Sequence, residues 1–251
     1  MRRTRGLAEE AGRASAAGKP VWNKILISVP EREFLSIRPY LEFRAMSNQQ
    51  ILHEPNENVQ FVYFLNSGLV SLMIETREGK TVEVGIVGNE GIVGLAAVVG
   101  IDRSPMREVV QVAGNGFGIE APALQRCLLS SPTLLAMLNR RAVLQCLQGA
   151  QTAACNRLHS VEQRFARWLL TVQARSGSDS LAITHDFIAA VLGTDRPSVS
   201  LAAGNFQRRH LIEHRRGVVK ILNRKKLEKL SCECFAIIQQ INSVSDLLKS
   251  R

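Results

Sequence analysis

The segment "ITHDFIAAVLGTDRPSVSLAAGNFQRRHLIEHRRGVVKIL" (183–222) sets two short helical patterns around a glycine and ends in two short extended runs. Thr184 is a capping residue ahead of the first pattern, whose inner face is Ile188, Ala189 and Leu192. Gly193 supplies the tight turn. Proline is tolerated in the first turn of a helix and breaks one elsewhere. Pro197 therefore belongs to the start of a second helix capped by Thr194 or Asp195, which reaches about Arg209 with Val199 and Ala202 facing inward. "LIEHRRGVVKIL" then reads as two strands around Arg215-Arg216-Gly217. Helix, glycine turn, helix and hairpin make the pattern of a winged helix-turn-helix. The small residue four before the turn glycine, Ala189, lets the helices cross closely, and the apolar residue six after it, Val199, anchors the second helix on the first.

The composition suits that reading. In 251 residues, 45% are hydrophobic and 22% charged, as in an ordinary folded protein, but the net charge is +10 and the sequence pI near 9.9. Such basicity points to an anionic partner, nucleic acid or an acidic membrane surface. No apolar run reaches the roughly 18 residues of a membrane span. The opening "MRRTRGLAEEAGRASAAGKP" lacks the apolar stretch of a secretory signal and reads as a solvated, disordered tail over 1–20. Five cysteines (127, 146, 155, 232, 234), odd in number and without framework spacing, indicate a reducing, cytoplasmic setting.

Upstream of the basic segment the hydrophobic period changes twice. Residues 21 to about 47 have helical spacing broken by Pro30 and Pro39, which fits two short helices. Residues 48–121 alternate, with Asn66-Ser67-Gly68, Glu78-Gly79-Lys80, Gly88-Asn89 and Gly114-Asn115-Gly116 as turns between antiparallel strands, a small β-barrel or roll. Val70, Leu72 and Ile74 share one face, as do Val82, Val84 and Ile86. From Pro132 a long helical pattern repeats Met137, Leu144, Gln151 and Leu158 every seven residues, with Arg140, Leu147, Ala154 and Val161 between. Met137, Leu144, Leu147, Gln151, Ala154 and Leu158 make a candidate dimer seam, and packing on the helix's own domain explains the same spacing. The expected class is α+β: a sensor roll over 21–131, a dimerisation helix over 132–159, and a DNA-binding domain with a C-terminal helix over 160–251.

This order resembles that of the bacterial regulators typified by the cyclic-AMP receptor protein and the fumarate–nitrate reductase regulator, the Crp/Fnr family. The resemblance covers nearly everything after the first 20 residues. It is most specific in the helix-turn-helix, in "VYFLNSGLVSLMIETREGKTVEVGIVGNEGIVG" (62–94) and in "TAACNRLHSVEQRFARWLL" (152–170). It implies a homodimeric transcription factor on a near-palindromic site, with RNA polymerase as a partner and no membrane association. Two branches of the family carry motifs this chain lacks. Cyclic-nucleotide binders grip the ribose with a Gly-Glu pair, whereas Gly94 is followed here by Leu95, which accepts no hydrogen bond from a hydroxyl. Arg103-Ser104 supplies the phosphate half at most, and Gly91 and Gly94 form no complete cradle, so these five residues are only a candidate effector pocket. Iron–sulfur sensors need N-terminal cysteines, and none precedes Cys127. Cys155 and His159, four apart on a helix, are half a metal site, but buried structural cysteines are commoner. Cys232 and Cys234, two apart in a C-terminal helix, are expected on different faces. No metal or cofactor is expected, and the effector is unknown.

For DNA, Arg196 suits bidentate contact with guanine, and Ser198 and Ser200 suit base edges or phosphates. Thr184, His185, Thr194, Arg208, Arg209, Arg215 and Arg216 complete the expected contact set, mostly to phosphates. The resemblance implies a Glu after Arg196 and a second Arg four residues later; Pro197 and Leu201 stand there instead, so a changed operator is expected. An enzyme is not expected, since no nucleophile elbow, P-loop or H-E-x-x-H motif occurs and the five histidines lack partner acids at useful spacing. The alternatives are a cyclic-nucleotide-responsive regulator and a sensor or adaptor without DNA binding.

Overall fold

The structure, a computed structural model, describes residues 12–104 and 106–247. Of the expected solvated tail, residues 1–11 lie outside the described residues. Residues 12–20 are ordered: Ala14 bridges Pro20, Arg13 donates to the Leu26 carbonyl, and its guanidinium lies 4.9 Å from the centre of the Phe34 ring. Helix α1 (Lys24–Ser28) is capped by Asn23, whose Oδ1 accepts from Ile25 and Leu26 and whose Nδ2 donates to the Leu65 and Gly91 carbonyls. One buried amide thus fastens the N-terminal segment to the sheet. Helix α2 (Glu31–Ile37) follows Pro30.

Strands β1 (Glu42–Met46), β2 (Ile51–His53), β3 (Phe61–Glu75), β4 (Thr81–Val87), β5 (Ile92–Val93) and β6 (Arg107–Glu120) form one antiparallel sheet in the order β1-β6-β3-β4, with β2 on β6 and β5 on β3. Two expectations are corrected here. Residues 42–46 are a strand rather than the end of a helical region. They pair with β6, and Phe43 packs edge-on against Phe117 at 5.8 Å, so tertiary pairing overrides local spacing. Gly68, Gly114 and Gly116 also sit inside strands rather than in turns. β3 and β6 run through these positions side by side, with register shifts between Leu65 and Val70. Gly68 has φ 83°, and a Cβ there would stand 2.6 Å from the Val112 oxygen; a Cβ on Gly114 would stand 2.6 Å from the Gly68 nitrogen. The glycines let two bulged strands approach and bend together. The turn expected at Glu78-Gly79-Lys80 is present, with Thr76 accepting from Gly79.

Helix α3 (Ala121–Leu128) leads to the long α4 (Pro132–Leu158). Its buried stripe, including Leu134, Leu138, Arg141, Gln148, Thr152 and Cys155, faces its own chain. On the opposite side Val143, Leu147 and Leu158 are 61%, 49% and 74% exposed, and Ala154 is exposed as well. Met137, Leu144 and Gln151 are half-buried instead: Met137 packs on the core formed with α1 and α2, and Gln151 donates to the Cys234 thiol. Half of the heptad pattern therefore serves the helix's own chain.

Ser160 and Gln163 cap α5 (Val161–Ser176) reciprocally. This helix lies on β3 and buries Phe165, Trp168 and Leu169, so Ser71 and Met73 on the strand are buried like Val70 and Leu72. Strand β7 (Ser180–Ala182), helices α6 (His185–Leu192) and α7 (Arg196–Arg208), strands β8 (Ile212–Arg215) and β9 (Val218–Ile221) and helix α8 (Arg224–Leu230) complete the basic unit, its small sheet ordered β7-β9-β8. Helix α9 (Cys234–Leu247) returns to pack on α4. Cys232 precedes α9 rather than lying within it. The two-residue spacing therefore does not separate the thiols, and Cys232 and Cys234 cluster with Cys155.

Three charged groups lie buried where sheet, long helix and α5 meet. Glu90, in the turn after β4, accepts from Arg141 Nη2 at 2.9 Å and lies 3.6 Å from Arg175 Nη2. Burial pushes its pKa up, but Arg175 and Arg141 outweigh that and hold it at about 2. Glu83 on β4, equally buried, accepts from Ser71 Oγ at 2.6 Å and from Trp168 Nε1 at 3.1 Å. These neutral donors do not offset desolvation, and its pKa stands at about 7.

Gly114→Ala is expected to cost about 3 kcal/mol or more in chemical denaturation, because the new Cβ would meet strand backbone that cannot rotate away. Glu83 supplies a pH signature. Between its ordinary value of 4.5 and about 7 the folded protein keeps a proton that the unfolded chain releases, so stability falls as pH rises through that window. In Glu83→Gln this fall should disappear from thermal midpoints measured from pH 4.5 to 8, and the variant should be the more stable protein above pH 7.

Candidate nucleic-acid interface

Thr184 caps α6, its Oγ1 accepting from Phe187 N at 3.2 Å. The helix ends at Gly193, with φ 58°, and Thr194 N donates to the Ala189 carbonyl at 3.0 Å. Asp195 is the cap of α7: its carboxylate accepts from Ser198 N at 2.8 Å and from Ser198 Oγ at 3.0 Å. Those hydrogen bonds hold the Asp195 carboxyl below the usual carboxylate range. Pro197 falls in the first turn, where its missing N–H leaves nothing unpaired. Ile188, Ala189, Val199, Ala202 and Phe206 are buried between the helices and α5, and Phe206 stacks on Phe165 at 5.4 Å.

What remains outside is a polar and basic face. Arg196 is 66% exposed at the amino end of α7, 3.6 Å from the equally exposed Asp186. Ser200, Leu201 and Arg208 are exposed farther along, and Arg209 beyond the helix end. Leu201, where the resemblance implies an arginine, is 65% exposed on the outer face. The wing turns at Arg216 and Gly217, with φ 49° and 76°, a two-residue hairpin turn that puts Arg215 and Arg216 at an exposed tip. Between Arg208 and Lys229 nine basic residues stand against two glutamates.

The wing is tied to the helices by a ring stack. His214 of β8 lies on His185 with centroids 4.4 Å apart, and His185 Nδ1 is 3.0 Å from Ser200 Oγ. Burial lowers both pKa values, and for His185 the charges of His214 and Arg196 add to the effect. Both shifts favour the uncharged rings, and the stack sets the hairpin beside α6 and Ser200 of α7. Ser198, His185 and Ser200 are thus engaged within the protein, and Thr184, Arg196, Ser200, Arg208, Arg209, Arg215 and Arg216 present exposed surface on this unit.

The five candidate effector residues do not converge. Gly91 is buried, and a Cβ there would stand 2.9 Å from Arg141 Nε, so it faces the ion cluster. A Cβ on Gly94 would stand 3.0 Å from His53 Cε1, and Leu95 packs on the N-terminal core. Arg103 Nε donates to Asn58 at 3.1 Å on an exposed loop, and Ser104 is buried, its Oγ accepting from Met106 N. Space beside Gly94 is taken by His53, which bonds Glu108 through Nδ1 and lies 2.9 Å from the Phe61 oxygen through Nε2. That acidic partner is 55 residues away, beyond what spacing along the sequence could show. The nearby cavity of about 450 Å³ is lined by Asn58, Phe61, Asp102, Glu120 and Gln125, with no basic side chain for a phosphate.

Among the described residues no helix is long and apolar enough to cross a membrane. The chain matches the cyclic nucleotide-binding domain family over residues 43–131 and the Crp-like helix-turn-helix domain family over residues 163–230. It matches no curated protein. Similar solved structures include a protein of Eubacterium rectale assigned to the Crp/Fnr family of transcriptional regulators, at 19% identity and TM-score 0.68, covering 83% of this chain and 98% of that one. The c-di-GMP-responsive global regulator CLP of Xanthomonas campestris aligns at 16% identity and TM-score 0.65, covering 77% of this chain and 100% of that one. FixK2 of Bradyrhizobium japonicum aligns at 13% identity and TM-score 0.65, covering 76% and 98%. These similarities establish the shared fold.

Proposed function

Because the chain belongs to the Crp/Fnr family of transcriptional regulators and is itself a DNA-binding transcription regulator, we propose that it acts in the cytoplasm, without enzymatic activity, as a homodimer on near-palindromic DNA. The observation that carries the DNA-reading mechanism is Arg196, exposed at the amino end of α7 with only the equally exposed Asp186 as an ion-pair partner, on the same unit as the basic wing. A helix amino end favours anions, and a guanidinium placed there reaches guanine O6 and N7 in the major groove. Arg196 supplies the main base contact, Ser200 and Leu201 read neighbouring positions, and Thr184, Arg208, Arg209, Arg215 and Arg216 engage phosphates. Pro197 offers no carboxylate for a cytosine amine, so the preferred half-site differs from that of relatives with Glu at this position.

Support for the dimer comes from the exposed stripe Val143, Leu147, Ala154 and Leu158 on α4, at coiled-coil spacing and opposite the face used within the chain. The sheet domain biases the geometry of that dimer, and RNA polymerase is the protein partner. Because the candidate nucleotide-binding residues are dispersed and the nearby cavity is acidic, the effector, where one acts, is not a cyclic nucleotide held in the family manner.

On a site identified by genomic mapping of bound DNA, Arg196→Ala is expected to lose about 1–3 kcal/mol, roughly 5–150-fold in affinity by fluorescence anisotropy, and to relax preference at one base pair. Undiminished sequence preference in this variant rules out the assigned readout. Leu147→Asp places a charge in the proposed seam. Sedimentation velocity should show the wild type as a dimer and the variant as a monomer, and a monomeric wild type counts against the homodimer.

A further inference from the structure

We propose that Cys155, His159, Cys232 and Cys234 form a four-coordinate structural site for zinc(II). Cys155 lies on the last turn of α4 and His159 is its C-terminal cap; Cys232 and Cys234 flank the start of α9, more than 70 residues away in sequence. Their donor atoms all lie within 4.8 Å of one another. Cys155 Sγ is 3.5 Å from Cys232 Sγ, and Cys234 Sγ is 3.7 Å from His159 Nδ1. A tetrahedral zinc ion with bonds of about 2.3 Å to sulfur and 2.0–2.1 Å to nitrogen has ligand-to-ligand edges of about 3.5–3.8 Å. The two close approaches therefore match edges of that tetrahedron, and Cys₃His is a donor set that zinc favours.

The surroundings match what a bound metal requires. With the metal on Nδ1, His159 keeps its proton on Nε2, which lies 3.3 Å from Glu233 Oε1, the carboxylate that orients such a ligand. Gln151 Nε2 donates to Cys234 Sγ at 3.0 Å, a hydrogen bond that stabilises a thiolate. Three thiolates around a dication leave one net negative charge. Arg164 and Arg167, both buried and each with an unpartnered Nε, lie within electrostatic range of Cys155. All three sulfurs are buried and form a cluster separate from the apolar cores. A disulfide between Cys155 and Cys232 would leave Cys234, His159 and their partners without a role. A polynuclear iron–sulfur cluster spreads its ligands over several irons and needs a wider cage.

Such a site staples α9 to the end of α4 beside Ser160, where the long helix hands over to the DNA-binding unit. Metal binding here does not depend on how DNA is read. The full-length protein, purified under reducing conditions, is expected to carry one zinc per chain by plasma mass spectrometry and to lose thermal stability when a chelator strips it. Replacement by cobalt should give tetrahedral ligand-field bands and thiolate charge-transfer absorption. Cys232→Ser and Cys234→Ser should lose the metal, Glu233→Gln should bind cobalt about 10–100-fold more weakly, and Cys146→Ser, on an exposed position of α4, should behave as wild type. A wild type isolated without zinc whose reduced form takes up neither zinc nor cobalt overturns the proposal, as does loss of metal in Cys146→Ser equal to that in Cys232→Ser.

Discussion

The architecture turns on one buried carboxylate. Glu90 leaves the turn after β4 and meets Arg141 of the long helix and Arg175 of α5, so three parts of the chain converge on one carboxylate oxygen. Ions in a low-dielectric interior repay their desolvation only with close geometry, and removing one partner of such a group costs about 3–5 kcal/mol because the others are stranded. The cluster is therefore a poor glue and a strict positional constraint. Sheet, long helix and DNA-binding unit hold one relation that satisfies all three charges. Nearby Glu83 shows the contrast: it too is surrounded by the α5 face, but its bonding partners are a serine and a tryptophan, and it stays protonated up to about neutral pH. Two carboxyls a few residues apart on one sheet edge are driven in opposite directions by the partners α5 and α4 provide.

That arrangement bears on signalling. The glycines singled out as candidate effector residues are hemmed in by the protein's own groups: His53 and Glu108 beside Gly94, Arg141 beside Gly91. The sheet domain and the basic unit meet through elements already in contact: α5 lies on β3 and packs against α6, α7 and α8, α6 itself touches β4, and α4 touches β4 and α9. The Arg175–Glu90 pair sits on α5, against which α6, α7 and α8 are packed.

The helix-turn-helix was legible because its signals are local. A cap, a positive-φ glycine, a first-turn proline and a two-residue wing turn each declare themselves within a few positions, and residues 183–222 fold as those signals say. The long helix was legible for the same reason, bounded by Pro132 and Ser160. Long-range facts were not. Nothing near Glu90 announces Arg141 and Arg175, nothing near His53 announces Glu108, and the Cys155–His159 pair gave no hint of its partners beyond the wing. Spacing also misled where tertiary pairing decided: β1 was hidden in helical periodicity, and the heptads of α4 mixed residues facing its own chain, such as Met137 and Gln151, with exposed ones, such as Leu147 and Leu158.

Gly68 and Gly114 face each other across β3 and β6 so closely that each excludes a side chain on the other. Neither can change first, since a methyl on one meets the backbone of its partner's strand. A lineage carrying this bend holds two sites that are neutral to nothing and open to no single-step replacement, while the surrounding strand residues can drift. The mutual exclusion makes the bend resist single replacement at either glycine, whatever ligand or partner the domain serves.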